Sequence, residues 1–188
     1  MIYLNNYGWN DKLSQLKQES TYNALTHGRI SIVHRTCYEV VSENGLFQCE
    51  LTGNMMYGKS DIELPCTGDW VLFQPFDEHK GIIVDMLPRE RTLYRKKNGT
   101  VADKQAIASY VDKAFIVQSL DDNFNVRRAE RFMVQMQEEN INPVLVFNKA
   151  DLGFDEQKVE EQIRHIARQI PVFFTSIHQP QTFLQLRE

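Results

Sequence analysis

The spacing of apolar residues changes once along the chain, and this change limits the fold more than any other feature. Residues 27–87 contain short alternating runs, such as residues 28–33, separated by turns that are marked by glycine. From residue 110 onward, continuous apolar runs of strand length alternate with helical patterns. Alternation with a period of two is typical of half-buried strands, whereas strands alternating with helices are typical of a parallel sheet. We therefore expect a β domain followed by an α/β domain.

The β region predicts a small barrel. Its candidate strands are residues 28–33, 37–41, 46–51, 68–73 and 81–86. The pair Asn44-Gly45 lies between the second and third runs, and Asn-Gly is a strong hairpin signal. Short strands with glycine at the corners suit an OB-like Greek-key barrel over residues 27–87, and an SH3-like barrel shares this pattern. Residues 1–26 form a polar lead-in, in which residues 10–17 can make a short helix.

A basic segment separates the two regions. Residues 88–109 are polar, and between Arg89 and Lys97 five basic residues accompany one acidic residue. This gives a local charge of +4 in a chain whose formal net charge is −4. A negative overall charge argues against nucleic-acid binding over the whole surface and leaves room for a local basic patch. We interpret residues 88–109 as a basic connector between the domains.

The region from residue 110 to residue 188 predicts a partial doubly wound parallel sheet. Its strands are the apolar runs 114–117, 143–147 and 171–174, and we expect the first strand to be covered on both faces. Asp155 can cap the helix that follows the second strand. The helix between the first two strands, residues 125–139, has one apolar face that consists of Val126, Ala129, Phe132, Met133 and Met136.

A polar motif, Asn148-Lys149-Ala150-Asp151, follows the second of these strands directly. Open α/β sheets bind ligands at the carboxyl ends of their strands, which is where this motif falls. The carboxylate of Asp151 can accept hydrogen bonds from N1–H and the exocyclic amine of guanine, which adenine does not offer in that geometry. Asn148 can contact the acceptor edge of the base, and Lys149 can lay its aliphatic stem over the base plane. The motif predicts a guanine-binding site.

The loop after the third strand, Thr175-Ser176-Ile177, supports this interpretation. The loop at Ser176 and Ile177 can offer a backbone N–H to the base oxygen, while the Ser176 hydroxyl holds Asp151. Its place, one strand–helix–strand unit after Asn148, is what makes this signal informative.

One segment, residues 53–60, satisfies the pattern of a phosphate-binding loop, with Gly53 at its start and Gly58-Lys59-Ser60 at its end. Such a loop needs a buried strand before it and a helix after it. Here the preceding strand belongs to the barrel, and Pro65 interrupts any following helix. We therefore predict that this segment is a barrel loop.

The order of these parts resembles the bacterial circularly permuted, ribosome small-subunit-dependent GTPases. In that family a barrel and the Asn-Lys-x-Asp motif precede the phosphate loop, and the resemblance covers about residues 27–176. The family's Ser-Ala position is Ser176-Ile177 here, and its usual Gly-x-Gly is replaced by residues 178–181. Because the sequence ends before a phosphate loop, we expect a fragment or a truncated form.

The resemblance implies a cytoplasmic factor that binds and hydrolyses GTP late in the maturation of the small ribosomal subunit. GTP or GDP would be the nucleotide, with Mg²⁺ in the full-length protein and zinc only in a C-terminal domain absent from this sequence. Phosphoryl transfer needs a phosphate cradle, a metal ion and a positioned water. We therefore expect no catalytic residue here, no hydrolysis by these 188 residues alone and weak guanine-nucleotide binding at most. Neither a metal site nor a membrane span is expected, since the cysteines lack C-x-x-C spacing and no long apolar stretch occurs.

The resemblance also implies that the barrel and connector contact ribosomal RNA, through phosphate contacts and aromatic stacking. The candidate side chains are Arg29, His34, Arg35, Lys59, Arg91, Arg95, Lys96 and Lys97. The alternative is a non-enzymatic RNA- or ribosome-binding protein whose α/β region serves only as a scaffold. In the family's strand order, residues 114–118 pair with the phosphate-loop strand. We therefore expect an exposed strand edge here, and self-association through it.

Overall fold

The structure is a computed structural model that describes residues 1–57, 59–96, 104–122, 124–153, 155–168 and 170–186. It divides into two compact units, Met1–Val111 and Asp112–Glu188. Within the described residues, no helix is long and apolar enough to cross a membrane.

The first unit contains a closed five-stranded barrel. Its strands are β1 (Thr26–Val33), β2 (Tyr38–Ser42), β3 (Gly45–Leu51), β4 (Trp70–Asp77) and β5 (Lys80–Met86). They follow the order β1-β2-β3-β5-β4, and β4 pairs with β1 to close the barrel. Strands β3 and β5 are parallel, and the other pairs are antiparallel. This order confirms the OB-like Greek-key prediction and each of the five predicted strands.

Strand β4 is buried on both faces over its first four residues. Val71 and Phe73 point into the barrel, where they pack with Ile30, Val40 and Ile83. Strand periodicity places the alternate residues, Trp70 and Leu72, on the outer face. These belong to a second apolar cluster, so the strand separates two cores.

The N-terminal segment covers this outer face. A short 3₁₀ turn, Leu4–Tyr7, precedes helix α1 (Asp11–Glu19), whose first turn is capped by Asn10 accepting from the backbone N–H of Leu13. The second cluster contains Leu4, Leu13, Val41, Trp70, Leu72 and Leu87. The lead-in predicted from sequence therefore contributes to the core of the first unit.

The connection from β3 to β4 has one turn of helix, α2 (Gly53–Met56), which makes it the barrel loop that the sequence predicts. A buried ion pair holds the end of this connection. Asp69 is fully buried, and it accepts from the guanidinium of Arg89 with a shortest N–O distance of 2.6 Å and from the N–H of Cys66 at 2.7 Å. Arg89 also donates to the carbonyls of Ile62 and Leu64, so one guanidinium links the loop to the segment after β5.

The basic connector contains two strands that the sequence did not predict. Strands β6 (Leu93–Lys96) and β7 (Lys104–Ala108) pair antiparallel as a two-stranded sheet. The ammonium of Lys104 lies 5.7 Å from the ring centre of Tyr94. Residues 97–103 lie outside the described part of the chain.

The second unit alternates strands and helices as predicted. Its elements are β8 (Lys113–Ser119), α3 (Val126–Glu138), β9 (Asn142–Asn148), α4 (Glu156–Ala167) and β10 (Val172–Phe174). The strands form a parallel sheet in the order β10-β9-β8. Asn125 caps α3, and Asp155 caps α4 by accepting from the N–H of Lys158 at 3.1 Å. Two 3₁₀ turns, Ala150–Leu152 and Pro180–Leu186, follow β9 and β10 respectively.

The prediction that the first strand of this sheet is covered on both faces was wrong. In β8, Phe115 is 53% exposed and Val117 is 61% exposed, whereas Ile116 and Gln118 are buried. Both crossovers run in the same direction, from β8 to β9 and from β9 to β10. Because crossovers are right-handed, α3 and α4 lie on one face of the sheet and leave the other face of β8 uncovered. Phe132, placed on the inner face of α3 from its spacing, is also 45% exposed.

Candidate nucleotide-binding site

The three parallel strands bring the predicted motif residues to one edge of the sheet. Ser119 at the end of β8 is in register with Asn148 at the end of β9, and Phe174 at the end of β10 is in register with Phe147. The loops that follow these strands therefore leave the sheet side by side. This places Asp121, the Asn148–Asp151 motif and Ser176 around a common position.

Asp151 and Ser176 are joined by a direct hydrogen bond. The buried Ser176 hydroxyl donates to Oδ1 of the exposed Asp151. The same hydroxyl oxygen accepts from the backbone N–H of His178 at 3.1 Å, which fixes its orientation. The hydrogen bond from Ser176 lowers the pKa of Asp151 below its usual value, so the carboxylate stays ionised at neutral pH. An ionised carboxylate is an acceptor only, which is the state needed to receive two N–H groups of a base.

Asn148 connects the ends of all three strands. Its side-chain Oδ1 lies 3.4 Å from the hydroxyl of Thr175 at the end of β10. Its carbonyl accepts from the backbone N–H of Leu120, just beyond β8, at 2.9 Å. Next to it, the N–H of Ala150 donates to the carbonyl of Thr175 at 3.1 Å. The loop of the motif is therefore anchored on both sides.

Lys149 has a left-handed backbone conformation, with φ of 61°. This conformation is uncommon for a residue with a β-carbon, and in this loop it sends the side chain away from the path of the strand. The Lys149 ammonium lies 2.8 Å from Oδ2 of Asp121. Oδ1 of Asp121 accepts from the hydroxyl of Ser119 at 2.7 Å. Sequence reasoning missed Asp121, although a carboxylate directly after an apolar strand was an available signal.

The loop around Ser176 and Ile177 is closed by short-range hydrogen bonds. The N–H of Ser176 donates to the hydroxyl of Thr182 at 3.0 Å, and the N–H of Gln179 donates to the carbonyl of Ser176 at 3.0 Å. The Ile177 side chain is 69% exposed, so it contributes to the surface of the loop instead of its packing.

The proposed RNA-contacting side chains occupy several different environments. Arg29 donates to the carbonyls of Tyr7 (2.5 Å) and Gly68 (3.0 Å), and its guanidinium lies 5.9 Å from the Trp70 ring centre. These contacts give Arg29 a structural role in holding the N-terminal segment.

The other candidates lie nearer the surface. His34 contacts Glu39 at 2.9 Å and Arg91 contacts Glu90 at 3.3 Å. Arg35, Lys59 and Arg95 are exposed. Lys96 ends β6, and its side chain and the whole of Lys97 lie outside the described part.

The groups assembled at the sheet edge suit a base more than a phosphate or a metal. They consist of an ionised carboxylate, a serine hydroxyl, a carboxamide and a lysine whose ammonium is already paired. In the described part of the chain, no group of three or more His, Cys, Asp or Glu side chains is arranged to hold a metal ion. The carboxylate can accept hydrogen bonds from donors on a flat heterocycle, and the lysine stem can cover one face of the ring.

The profile of the RsgA GTPase family matches residues 86–188, more than half of the chain. The "Small ribosomal subunit biogenesis GTPase RsgA 1" of Bacteroides thetaiotaomicron is 72% identical over 182 residues, which is 97% of this chain and 51% of that protein. An RsgA of Opitutus terrae is 30% identical over 179 residues, covering 90% of this chain and 49% of that protein. The chain thus spans about half the length of the curated relatives that it matches.

Two solved structures share the fold. YjeQ from Thermotoga maritima superposes with a TM-score of 0.64 at 22% identity, covering 86% of this chain and 55% of that one. YloQ, described as a circularly permuted GTPase, gives a TM-score of 0.56 at 23% identity over 84% of this chain and 54% of that one. The barrel, the parallel sheet with its helices and the family profile lead to one conclusion: the chain belongs to the RsgA GTPase family.

Proposed function

We propose that this chain supplies the base-recognition half of a factor that binds and hydrolyses GTP during maturation of the small ribosomal subunit. The single observation that carries the proposal is the hydrogen bond from Ser176 to Asp151, next to the Asn-Lys-Ala-Asp motif at the carboxyl edge of the sheet. The family to which the chain belongs and the names of its relatives support the same function.

The proposed recognition mechanism uses four groups. Asp151 accepts from N1–H and the exocyclic amine of guanine, and the Ser176 hydroxyl orients that carboxylate. Asn148 contacts the acceptor edge of the base. Lys149 covers one face with its aliphatic stem. Adenine in the same position would leave the carboxylate facing the wrong groups, which costs free energy because a desolvated acceptor loses its partner.

We propose that GTP or GDP binds here in a longer chain that also carries a phosphate loop. Mg²⁺ would then be held with the phosphates, and zinc would be held in a separate C-terminal domain. We propose that the 188 residues alone do not hydrolyse GTP, because phosphoryl transfer needs a phosphate cradle, a metal ion and a positioned water, whereas the four groups described above contact only the base. We place the factor in the cytoplasm, where maturing ribosomal subunits are found in bacteria.

The barrel and the basic connector are proposed to contact ribosomal RNA. Arg35, Lys59 and Arg95 are exposed and can reach phosphate oxygens, whereas Arg29 is engaged by backbone carbonyls. Such contacts would make binding to the subunit weaken as salt is raised. In this proposal the barrel, residues 27–87, binds RNA, and the basic connector, residues 88–109, joins it to the α/β domain. Residues 110–188 then bind the guanine base.

An Asp151→Asn variant tests the base-recognition proposal. A carboxamide offers an NH2 donor group beside a carbonyl acceptor, so it suits xanthine, which has a carbonyl where guanine has its amine. The measurement is calorimetry with GDP and xanthosine diphosphate, made on residues 1–188 joined to the second half of the Bacteroides relative. We expect GDP to bind at least ten-fold more weakly to the variant and xanthosine diphosphate to bind more tightly.

The alternative, a ribosome-binding protein with a scaffold α/β half, makes the opposite prediction. Under it, Asp151→Asn would leave both nucleotide affinities unchanged while binding to the small subunit persists. An Asp155→Asn variant is a matched control, because Asp155 caps α4 and does not belong to the site. For the 188 residues alone, a dissociation constant for GDP in the sub-micromolar range would contradict the proposal that they bind the nucleotide weakly.

We also propose that the exposed edge of β8, predicted as residues 114–118, associates with a second copy when these 188 residues are studied by themselves. Phe115 and Val117 supply apolar surface beside the edge backbone of this strand. Sedimentation velocity over a range of concentrations should show reversible dimers, and Val117→Lys should abolish them. A clean monomer of the unsubstituted chain at high concentration would contradict this proposal.

A further inference from the structure

We propose that Asp121 is a positioning residue of the nucleotide site, which holds the Lys149 ammonium so that the lysine stem covers the base. This inference rests on the proposed function. It concerns an aspartate that lies outside the Asn-Lys-Ala-Asp motif and that follows a different strand.

The contact geometry supports this role. Asp121 Oδ2 lies 2.8 Å from Lys149 Nζ, and Asp121 Oδ1 accepts from the Ser119 hydroxyl at 2.7 Å. One carboxylate oxygen is therefore held by the end of β8 while the other holds the lysine. Because Ser119 is in register with Asn148, the residue before Lys149, the two loops start side by side.

The direction of the lysine side chain follows from the same contacts. Asp151 is held by Ser176 on the β10 side of the motif, whereas Lys149 is held by Asp121 on the β8 side. The side chain of Lys149 thus runs from the end of β9 toward the loop that follows β8. A base that presents its edge to Asp151 would then meet the aliphatic part of Lys149 on one face.

An ordered lysine side chain lowers the entropic cost of nucleotide binding. A free lysine side chain samples many rotamers, and this freedom is lost when the stem packs on a base. An ion pair that is present before the nucleotide arrives removes part of this cost in advance. The pair is half-exposed, so we expect its effect to be modest and to fall as salt is raised.

The test uses residues 1–188 joined to the second half of the Bacteroides relative, with calorimetry of GDP. We expect Asp121→Asn to weaken GDP binding about five-fold at low salt, and Lys149→Ala to weaken it about ten-fold. In the double variant the loss should equal that of Lys149→Ala alone, since Asp121 acts only through the lysine. Asp121→Glu should recover part of the affinity, and the exposed neighbour substitution Asp122→Asn should have no effect.

A base-selectivity measurement separates positioning from general damage. Asp121→Asn should leave the ratio of GDP to xanthosine diphosphate affinity unchanged, because edge recognition belongs to Asp151. Additive losses in the double variant, or unchanged GDP affinity in Asp121→Asn, would overturn the inference while the selectivity change in Asp151→Asn stands. Failure of the unsubstituted protein to bind GDP would instead overturn the proposed function, and this inference with it.

Discussion

The two compact units treat the edges of their strands in opposite ways. In the barrel, every strand is hydrogen-bonded to a neighbour on each side, and no strand edge is left over. In the described part of the α/β unit, β8 and β10 lie at the edges of a three-stranded sheet, and β8 exposes Phe115 and Val117. The barrel therefore closes around its core, whereas the sheet presents uncovered apolar surface beside one edge strand.

The largest expected effect comes from a matched pair of phenylalanines. Phe73 in β4 is 0% exposed at the centre of the barrel, whereas Phe115 in β8 is 53% exposed. Phe73→Ala should lower the free energy of unfolding of the first unit by about 3–5 kcal/mol, because it leaves a cavity. Phe115→Ala should cost about 1 kcal/mol or less.

The measurement for this pair is urea denaturation followed by tryptophan fluorescence and far-ultraviolet circular dichroism. Trp9 and Trp70 both lie in the first unit, so fluorescence reports on the barrel, while dichroism reports on both units. Equal losses in the free energy of unfolding for Phe73→Ala and Phe115→Ala would contradict the expected difference between the barrel core and the exposed sheet face.

Ion pairs provide a second comparison of the units. Asp69 and Arg89 form a buried pair in the first unit, whereas Asp121 and Lys149 form a half-exposed pair in the second. Arg89→Met should cost about 3 kcal/mol in the denaturation experiment, because it leaves the Asp69 carboxylate buried without its cation. Asp121→Asn should cost less than about 1 kcal/mol in the same experiment. An Arg89→Met variant as stable as the unsubstituted chain would show that the Asp69 carboxylate does not depend on this pair.

A smaller effect is expected on the pH dependence of the first unit's stability, through His27 in β1. Burial against Trp9, 4.1 Å away between ring centres, and the nearby Lys17 hold the pKa of His27 below its ordinary value of 6.5, while Glu43 opposes them. The unfolded chain therefore binds the proton more readily than the folded one, so this contribution is complete above pH 6.5 and is lost as the pH falls below it.

Denaturation at pH 7.5 and 5.5 checks this expectation. His27→Gln should flatten the dependence between these values, whereas His79→Gln, in the exposed turn between β4 and β5, should leave it in place. A dependence unchanged by His27→Gln would assign the effect to other groups.

The smallest expected effect is confined to the sheet edge. Ser176→Ala should raise the pKa of Asp151 toward its ordinary value, because the hydroxyl donor that lowers it is removed. The carboxylate's contribution to stability is present above its ordinary pKa and is lost as the pH falls through the lowered pKa. Because the contribution comes from the difference between the two, it should be smaller in the variant. Carboxyl-carbon NMR titration measures the shift directly. Ser119→Ala, which removes a donor to Asp121, is the matched control and should not move the titration of Asp151.

The strands of the barrel could be predicted from sequence because each run is short, alternating and bounded by a turn. The two strands β6 and β7 could not, because residues 88–105 are rich in basic and polar residues, which gives the segment the composition of a loop. Their pairing depends on backbone hydrogen bonds between the two segments, which composition does not record.

At the candidate site, the sequence predicted the groups that share one motif. It placed Asn148, Lys149 and Asp151 after a buried strand, and the structure has Ser176 in contact with Asp151. Asp121 was missed because its contact with Lys149 depends on the register of β8 against β9 and on the left-handed backbone at Lys149. Neither the strand register nor this backbone conformation can be inferred from residue types. The exposure of Phe115 and Val117 was missed for a related reason, since an apolar run does not tell which face a crossover helix covers.

The double burial of β4 also has a consequence for the order in which the first unit folds. Leu4 and Leu13 pack in one cluster with Val41, Trp70, Leu72 and Leu87, so most of the surface that the N-terminal segment covers exists only once β4 and Leu87 have been synthesised. During synthesis α1 therefore lacks most of its packing partners at first, and an isolated helix of its length is unstable in water. Closing this long loop is entropically costly before its contacts form, and we expect the docking of α1 on β4 to be a late event in folding.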